Sequence, residues 1–320
     1  MKFIDLFAGI GGIRLAFENA WFQCVFSNDF DNNCKITFDH NFADFFDIKN
    51  QMYLGDITKI PIKKIPDCDI LTGGFPCQPF SIAGYRQGFD DEKGRGNVFF
   101  DIIRILKDKK PKAFLLENVK NLKTHDNHNT IKIIYQELQK LGYKVADKVL
   151  NTMEYGNLPQ NRERIYIVGF LDEESFNKFQ FPTKIPLTKT IQDCLETSEV
   201  DIKYYYNNKP LYERIKNDIV KKDTIYQWRR KYVRENKNNV CPTLTANMGT
   251  GGHNVPIILD DIGIRKLTPR ECANFQGFPK NYKLPNIADS ELYKQFGNSV
   301  SIPVVQRIAE KMKLALSNLF

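Results

Sequence analysis

No apolar run in this 320-residue chain is long enough to span a bilayer, so no transmembrane helix is expected. No two cysteines stand as Cys-x-x-Cys. The seven (Cys24, Cys34, Cys68, Cys77, Cys194, Cys241 and Cys272) are scattered and odd in number, which speaks for reduced thiols in the cytoplasm and against a disulfide framework. The four histidines complete no metal site, and His125 and His128 share a polar segment of the kind whose side chains face solvent. Internal repeats are missing, and so is the Gly-x-Gly-x-x-Gly dinucleotide pattern. The residues from Met1 to Gly9 read as a buried strand and turn. That apolar stretch is short and interrupted by Asp5, so no signal peptide is expected.

What is present is an ordinary globular composition, 42% hydrophobic and 26% charged, on a chain long enough for one large or two smaller domains. The formal net charge is +8, and the excess is concentrated. From Asp201 to Val240 there are eleven Lys and Arg against five Asp and Glu. Such a segment suits a phosphate-rich partner, or is simply a solvated charged face.

Over the first 170 or so residues, short apolar runs alternate with helical patterns. Lys2–Ala8, Cys24–Asn28, Asp69–Phe75, Lys112–Glu117, Lys144–Leu150 and Arg164–Phe170 read as strands. Thr130–Leu141 reads as an amphipathic helix capped by Asn129, with Ile134, Leu138 and Leu141 on one face. The alternation predicts an α/β fold with a mostly parallel sheet covered on both faces, whose ligands bind at the carboxyl ends of the strands. Beyond about residue 175 the texture turns rich in Asn, Lys and Tyr. The expected organisation is a catalytic and cofactor-binding domain over 1–175, a smaller domain over 176–267, and a return to the first domain over 268–320. A final helix carries Val304, Ile308, Met312 and Ala315 at helical spacing.

Four constellations carry candidate chemistry. Asp5 to Gly12 runs from a strand through a Gly-rich turn into a helix. Asp29 follows Gly9 by twenty residues, where an acid can accept from ribose hydroxyls. With the third dinucleotide glycine missing, a nucleoside cofactor without a pyrophosphate fits better, and a purely structural turn remains the alternative. Gly73 to Ser81 places Cys77 between two prolines after a strand, either as a reactive thiol or as a small buried apolar residue. Glu117, with Asn118 and Val119, ends another strand, as an active-site acid or as a solvated carboxylate. Arg162 and Arg164 lie two apart before a strand and could share a face toward an electron-rich ligand, or form a surface cluster.

These blocks, in this order, resemble the DNA (cytosine-5)-methyltransferase family of the bacterial restriction–modification type over nearly the whole chain. The match continues in Arg265 to Cys272 and in Gln295 to Val300, while residues 171–240 lack a clear counterpart. The resemblance implies a Rossmann-like S-adenosylmethionine-dependent methyltransferase domain with a smaller target-recognition domain. It implies transfer of a methyl group from S-adenosylmethionine to carbon 5 of a specific cytosine in double-stranded DNA, with the base flipped out of the duplex. It implies that Cys77 attacks carbon 6, that Glu117 holds ring nitrogen 3 and the exocyclic amine, that Arg164 binds the carbonyl oxygen, and that Arg162 positions base and loop.

The cofactor contacts implied are Phe7, Gly9, Ile10, Gly12, Asp29 on the ribose, Phe30 on the adenine face and Asp56 on its amine. Ile57, Pro76 and Val98 complete them, with Asn298, Ser299 and Val300 from the end of the chain. Asp29 and Phe30 depart from the Glu and Trp common in the family, in size rather than in chemistry. Gln78, Ser81, Arg86, Arg95 and Thr243 are the implied DNA contacts. A companion restriction endonuclease is the implied functional partner, without a stable complex, and the expected state is a cytoplasmic monomer without a metal. The rivals are a transfer-RNA cytosine methyltransferase, disfavoured by the lack of a late Cys-Phe-Thr tripeptide, a catalytically dead DNA-binding regulator and a dinucleotide-dependent oxidoreductase.

Overall fold

The computed structural model describes residues 1–43, 52–76, 98–250 and 255–317. The chain divides into two compact units, one of residues 1–150, 163–182 and 305–320, the other of residues 151–162 and 183–304.

The first unit is built on a seven-stranded sheet. Its strands are β1 (Lys2–Leu6), β2 (Gln23–Asp29), β3 (Tyr53–Leu54), β4 (Ile70–Gly74), β5 (Ala113–Val119), β6 (Lys144–Asn151) and β7 (Glu163–Phe170), in the order β3-β2-β1-β4-β5-β7-β6. From β3 to β5 all neighbours are parallel. β7 runs antiparallel to β5, so the sheet is mostly parallel with one antiparallel neighbour, as the alternation of the sequence allows. The six residues from Ala113 to Asn118 are all buried, as a central strand covered on both faces requires. Gly169 faces Phe114 across the antiparallel pair, and a Cβ there would sit 2.2 Å from the phenyl ring.

Helices α1 (Gly12–Asn19), α2 (Asn32–Phe42), α3 (Val98–Lys109) and α4 (Asn129–Lys140) follow β1, β2, β4 and β5. α2 buries only Thr37 and Phe38, whereas α1, α3 and α4 each bury an apolar stripe at i, i+3, i+4 or i+7: Ile13, Ala16 and Phe17 in α1; Phe99, Ile102, Ile103 and Leu106 in α3; Ile131, Ile134 and Leu138 in α4. These side chains join Ile4, Leu6, Leu71, Phe114, Leu116 and Ile167 in the core. The cap of α4 differs from expectation. Asn129 is its first helical residue, and the N-cap is His128 with no side-chain cap bond. Asp126, Asn127 and His128 all take left-handed backbone angles (φ 48, 50 and 68°), and this tight turn sets the helix start in place of an asparagine side chain. At the end of the chain, Val304, Ile308, Met312 and Ala315 are buried along α7 (Ile302–Leu316).

The second unit holds a small sheet of β8 (Tyr226–Trp228), β9 (Val233–Glu235), β10 (Ile257–Leu259) and β11 (Ile264–Lys266), ordered β9-β8-β10-β11. Ile215, Ile219, Tyr226, Ile257 and Ile264 form its core. Helix α5 (Pro269–Gln276) opens with a capping box between Thr268 and Glu271. The fully buried Glu271 also receives both terminal nitrogens of Arg265 at 2.8 Å. Helix α6 (Asp289–Asn298) follows.

Candidate active site

The chain leaves β1 toward β2 on one side of the sheet and toward β4 on the other. Such a reversal opens a crevice at the carboxyl ends of the strands. The Gly-rich turn lies there. Phe7, Gly9 and Gly11 have φ of 55, 53 and 79°, so the turn is a run of left-handed residues between β1 and α1. Gly11 is required by packing, since a Cβ would come within 2.3 Å of the Phe42 ring. Gly9 differs, because a Cβ there would meet no atom of the other described residues within 4 Å. Ile10 is buried, and Gly12 starts α1. Beneath the turn the fully buried Asp5 accepts from the Thr72 hydroxyl at 2.9 Å, and burial raises its carboxyl pKa to about 7.

The ends of β2 and β3 are bound to this turn. Asp29 accepts from the Gly9 N–H at 2.8 Å through one oxygen and from the Asp31 N–H at 2.9 Å through the other. Burial pushes the Asp29 carboxyl up. The next side chain, Phe30, is 75% exposed, although aromatic rings of that size usually find cover. The Asn28 amide donates to Tyr53 O at 2.9 Å and Gly55 O at 2.8 Å, which holds the Gly55-Asp56-Ile57 turn beside Asp29. Asp56 caps a short 3-10 turn through Thr58 and is exposed, whereas Ile57 is buried in the core. The structure thus brings Phe7, Gly9, Ile10, Gly12, Asp29, Phe30, Asp56 and Ile57 to adjacent strand ends.

On the other side of the crevice, β4 ends at Gly73 and Gly74, followed by buried Phe75 and exposed Pro76. Glu117 stands opposite Gly74 in the parallel register, and a Cβ at Gly74 would lie 3.7 Å from Glu117 Oε2. The antiparallel register of β5 and β7 pairs Val119 with Arg164, which brings the Arg164 Nε to 3.2 Å from Glu117 Oε1. Both side chains are largely buried. A carboxylate and a guanidinium side by side offer acceptors and donors to one ligand. Val98, half-buried, begins α3.

Sequence reasoning gave Asn118 no role. Its amide donates to Phe75 O at 2.9 Å and its side-chain oxygen accepts from the Val119 N–H at 2.8 Å. Asn118 therefore ties the end of β5 to the chain two residues before Cys77. A buried amide directly after an acid at a strand end was the available signal. Cys77 itself, with Gln78, Ser81, Arg86 and Arg95, lies outside the described residues.

The remaining site residues belong to the second unit. Arg162 is buried and precedes β7, so the strand alternation that would give it the same face as Arg164 does not extend to it. Its Nη1 donates to Leu244 O at 2.9 Å and to Gly297 O at 3.3 Å, and its Nη2 donates to Gly297 O and Ser299 O. Gly297 permits this arrangement, because a Cβ there would lie 2.2 Å from the Thr245 carbonyl. The Thr243 hydroxyl donates to Asn161 O at 2.6 Å. Asn298 is exposed at the end of α6, Ser299 half-buried and Val300 buried. No cluster of three or more His, Cys, Asp or Glu among the described residues has the arrangement of a metal site. No helix among them is long and apolar enough to cross a membrane.

Comparison with known proteins adds to this geometry. The sequence profile of the family described as C-5 cytosine-specific DNA methylase matches residues 1–314. The chain is 52% identical over 316 residues to the type II methyltransferase M.Bsp6I of Bacillus sp. (strain RFL6), covering 98% of each. It is 39% identical over 328 residues to the type II methyltransferase M.HhaI of Haemophilus parahaemolyticus, covering 99% of this chain and 95% of that one. Among solved structures, the fold is similar to that of the S. pombe Dnmt2 methyltransferase, with a TM-score of 0.74 at 22% identity over 100% of this chain and 99% of the other.

Proposed function

The chain belongs to the family of C-5 cytosine-specific DNA methylases, and from that premise we propose that it methylates carbon 5 of one specific cytosine in double-stranded DNA as the modification enzyme of a restriction–modification system. The observation that carries this reading is the Glu117–Arg164 pair at the end of β5, opposite Gly74 and three residues in sequence from Cys77.

Family membership implies S-adenosylmethionine, and the residues present fit it. Gly9 offers a backbone face that no atom of the other described residues fills, Phe30 offers an exposed ring for adenine, and Asp29 keeps acceptor capacity for ribose hydroxyls beyond its bonds from the Gly9 and Asp31 N–H groups. When bound, this cofactor supplies an electrophilic methyl group. Phe7, Ile10, Gly12, Asp56, Ile57, Pro76 and Val98 complete the reading on the first unit, and Asn298, Ser299 and Val300 belong to it from the second.

In this mechanism the Cys77 thiolate forms a bond to carbon 6 of the flipped cytosine. The added electron pair makes carbon 5 enamine-like, where the aromatic ring was too electron-poor to accept a methyl group. Arg164 turns to the ring carbonyl, and Glu117 exchanges its guanidinium partner for ring nitrogen 3 and the exocyclic amine. A proton from Glu117 to nitrogen 3 offsets the charge that the thiolate brings. Once carbon 5 is methylated, a base takes its proton, nitrogen 3 returns its own to Glu117, and the bond from sulfur to carbon 6 breaks to restore the ring and release the Cys77 thiolate. Asn118 keeps the approach to Cys77 in place. Gln78, Ser81, Arg86, Arg95 and Thr243 hold the DNA around the displaced base.

Cys77→Ser is expected to abolish methyl transfer while duplex binding persists. Duplex DNA carrying 5-fluorocytosine at the target is expected to trap a covalent adduct of the wild-type protein, since fluorine cannot leave as the proton does. Full activity of the serine variant, or no adduct at any methylated site, would contradict the mechanism.

A further inference from the structure

The turn after Gly55 is held by two side chains to which sequence reasoning gave no role. Asp56 opens a 3-10 turn of only three residues, Ile57–Lys59. Its backbone bonds run from the Lys59 N–H to Asp56 O at 3.0 Å and from the Ile60 N–H to Ile57 O at 3.3 Å. A turn that short does not keep its shape alone. Ile57 and Ile60 anchor it by burial. The rest comes from Arg104 on α3. Its Nη2 donates to Ile57 O at 2.9 Å and its Nη1 to Ile60 O at 3.3 Å, so one guanidinium holds the carbonyls at both ends of the turn.

Asp101 aims this fork. It stands three residues before Arg104 on the same helix and accepts from Arg104 Nε at 3.2 Å. With Nε engaged, the planar group directs both terminal nitrogens at the turn. Burial pushes the Asp101 carboxyl up, Arg104 opposes that shift and Asp56 adds to it. Asp101 thus feels Asp56 as a nearby like charge, with Arg104 as the opposing cation. Asp56 is itself oriented by the turn. Its Oδ1 accepts from the Thr58 N–H at 3.0 Å and from the Thr58 hydroxyl at 2.8 Å. Its Oδ2 meets, among the described residues, only the exposed ammonium of Lys59 at 3.9 Å. That oxygen has room for a donor from outside the chain.

Resting on the function proposed above, in which Asp56 accepts from the adenine amine, we propose that Arg104, aimed by Asp101, is the positioning residue that sets cofactor selectivity for a purine with a 6-amino group. It acts through the turn and not by contact with the base. A hydrogen bond to a carboxylate weakens steeply when the acceptor pivots away from the donor. Held at both of its carbonyls, the turn keeps Oδ2 facing one way. An amine there is accepted, and an oxygen in the same place is repelled. Without the clamp the carboxylate turns aside from the wrong group as readily as toward the right one, and the discrimination falls.

The test is calorimetric titration of the purified protein with S-adenosylhomocysteine, the cofactor without its methyl group, and with its 6-oxo analogue S-inosylhomocysteine. Wild type, Arg104→Lys and Arg104→Gln are compared. Neither ligand carries a methyl group to transfer, so binding is read without turnover. Wild type should prefer the amino form by roughly ten- to a hundredfold, the range for one hydrogen bond to a charged acceptor. Arg104→Lys, whose single ammonium cannot span both carbonyls, should cut this preference about threefold or more. Arg104→Gln should cut it at least as far. A role confined to folding would weaken both ligands by the same factor and leave their ratio as it was. An unchanged ratio in both variants therefore overturns the proposal while the cofactor reading stands. A wild-type protein that binds both ligands alike overturns the role of Asp56 and that of Arg104 with it. One that binds neither overturns the cofactor reading itself.

Discussion

Arg164 and Arg162 are separated by one residue and meet opposite surroundings. Arg164 lies on a strand, its guanidinium against the side-chain carboxylate of Glu117. Arg162 lies just ahead of that strand, with its donors committed to the carbonyls of Leu244, Gly297 and Ser299. In the proposed mechanism the first guanidinium turns to the base, whereas the second is a clamp on backbone that comes from 82 and 135 residues away in sequence. The contrast shows that charge and position in a motif do not fix a residue's work. The groups that answer it in space do.

The sharpest way to break this contrast is to remove each side chain and ask whether activity or stability responds. Glu117→Gln and Arg164→Ala should lower kcat by about 10²–10⁴-fold. Their stability should fall less than their activity, although each change leaves a largely buried side chain without its counter-charge. Steady-state kinetics together with thermal melts would show this, and a large loss of stability without a kcat effect would reverse the assignment. Arg162→Ala should do the opposite and cost on the order of 3 kcal/mol in a denaturant titration, since several buried carbonyls lose a charged donor at once. Arg162→Lys should recover only part of that, because one ammonium cannot span the carbonyls that a planar guanidinium reaches.

A smaller effect is expected at Asp5, which resembles Arg162 in having only protein around it. Burial raises its pKa from 3.8 to about 7, so the folded chain holds this proton more tightly than the unfolded chain does. The stability it contributes is fully present below pH 3.8 and is lost as the pH rises through about 7. Asp5→Asn should flatten that part of the pH profile and raise the melting temperature on the alkaline side. A profile of Tm against pH that is identical in the two proteins would refute the buried neutral carboxyl.

The elements of the first unit were legible because their periodicities are strong. The buried run of β5 and the stripes of α3 and α4 stand out in the sequence. The direction of β7 was not legible, since an apolar strand reads alike in either orientation. Yet that direction sets the register in which Val119 meets Arg164. The Gly-rich turn, Asp29 and Glu117 could be found from residue type and position at strand ends. Asn118 escaped because its partner, the carbonyl of Phe75, carries no side-chain signal at all. The same holds for Arg162, whose partners are backbone atoms brought in by distant segments.

The β8–β9 hairpin sits at the rim of its sheet, with β9 bonded on one side only. Among the described residues, the side chains of Arg229, Arg230 and Lys231 make no ion pair or hydrogen bond, and the hairpin's grip on the core comes from Tyr226, Trp228 and Val233. Substitutions or insertions in the turn should therefore leave the sheet behind it as it is. A segment that the rest of its sheet does not lean on is where a chain can change in sequence and length at least cost to its fold.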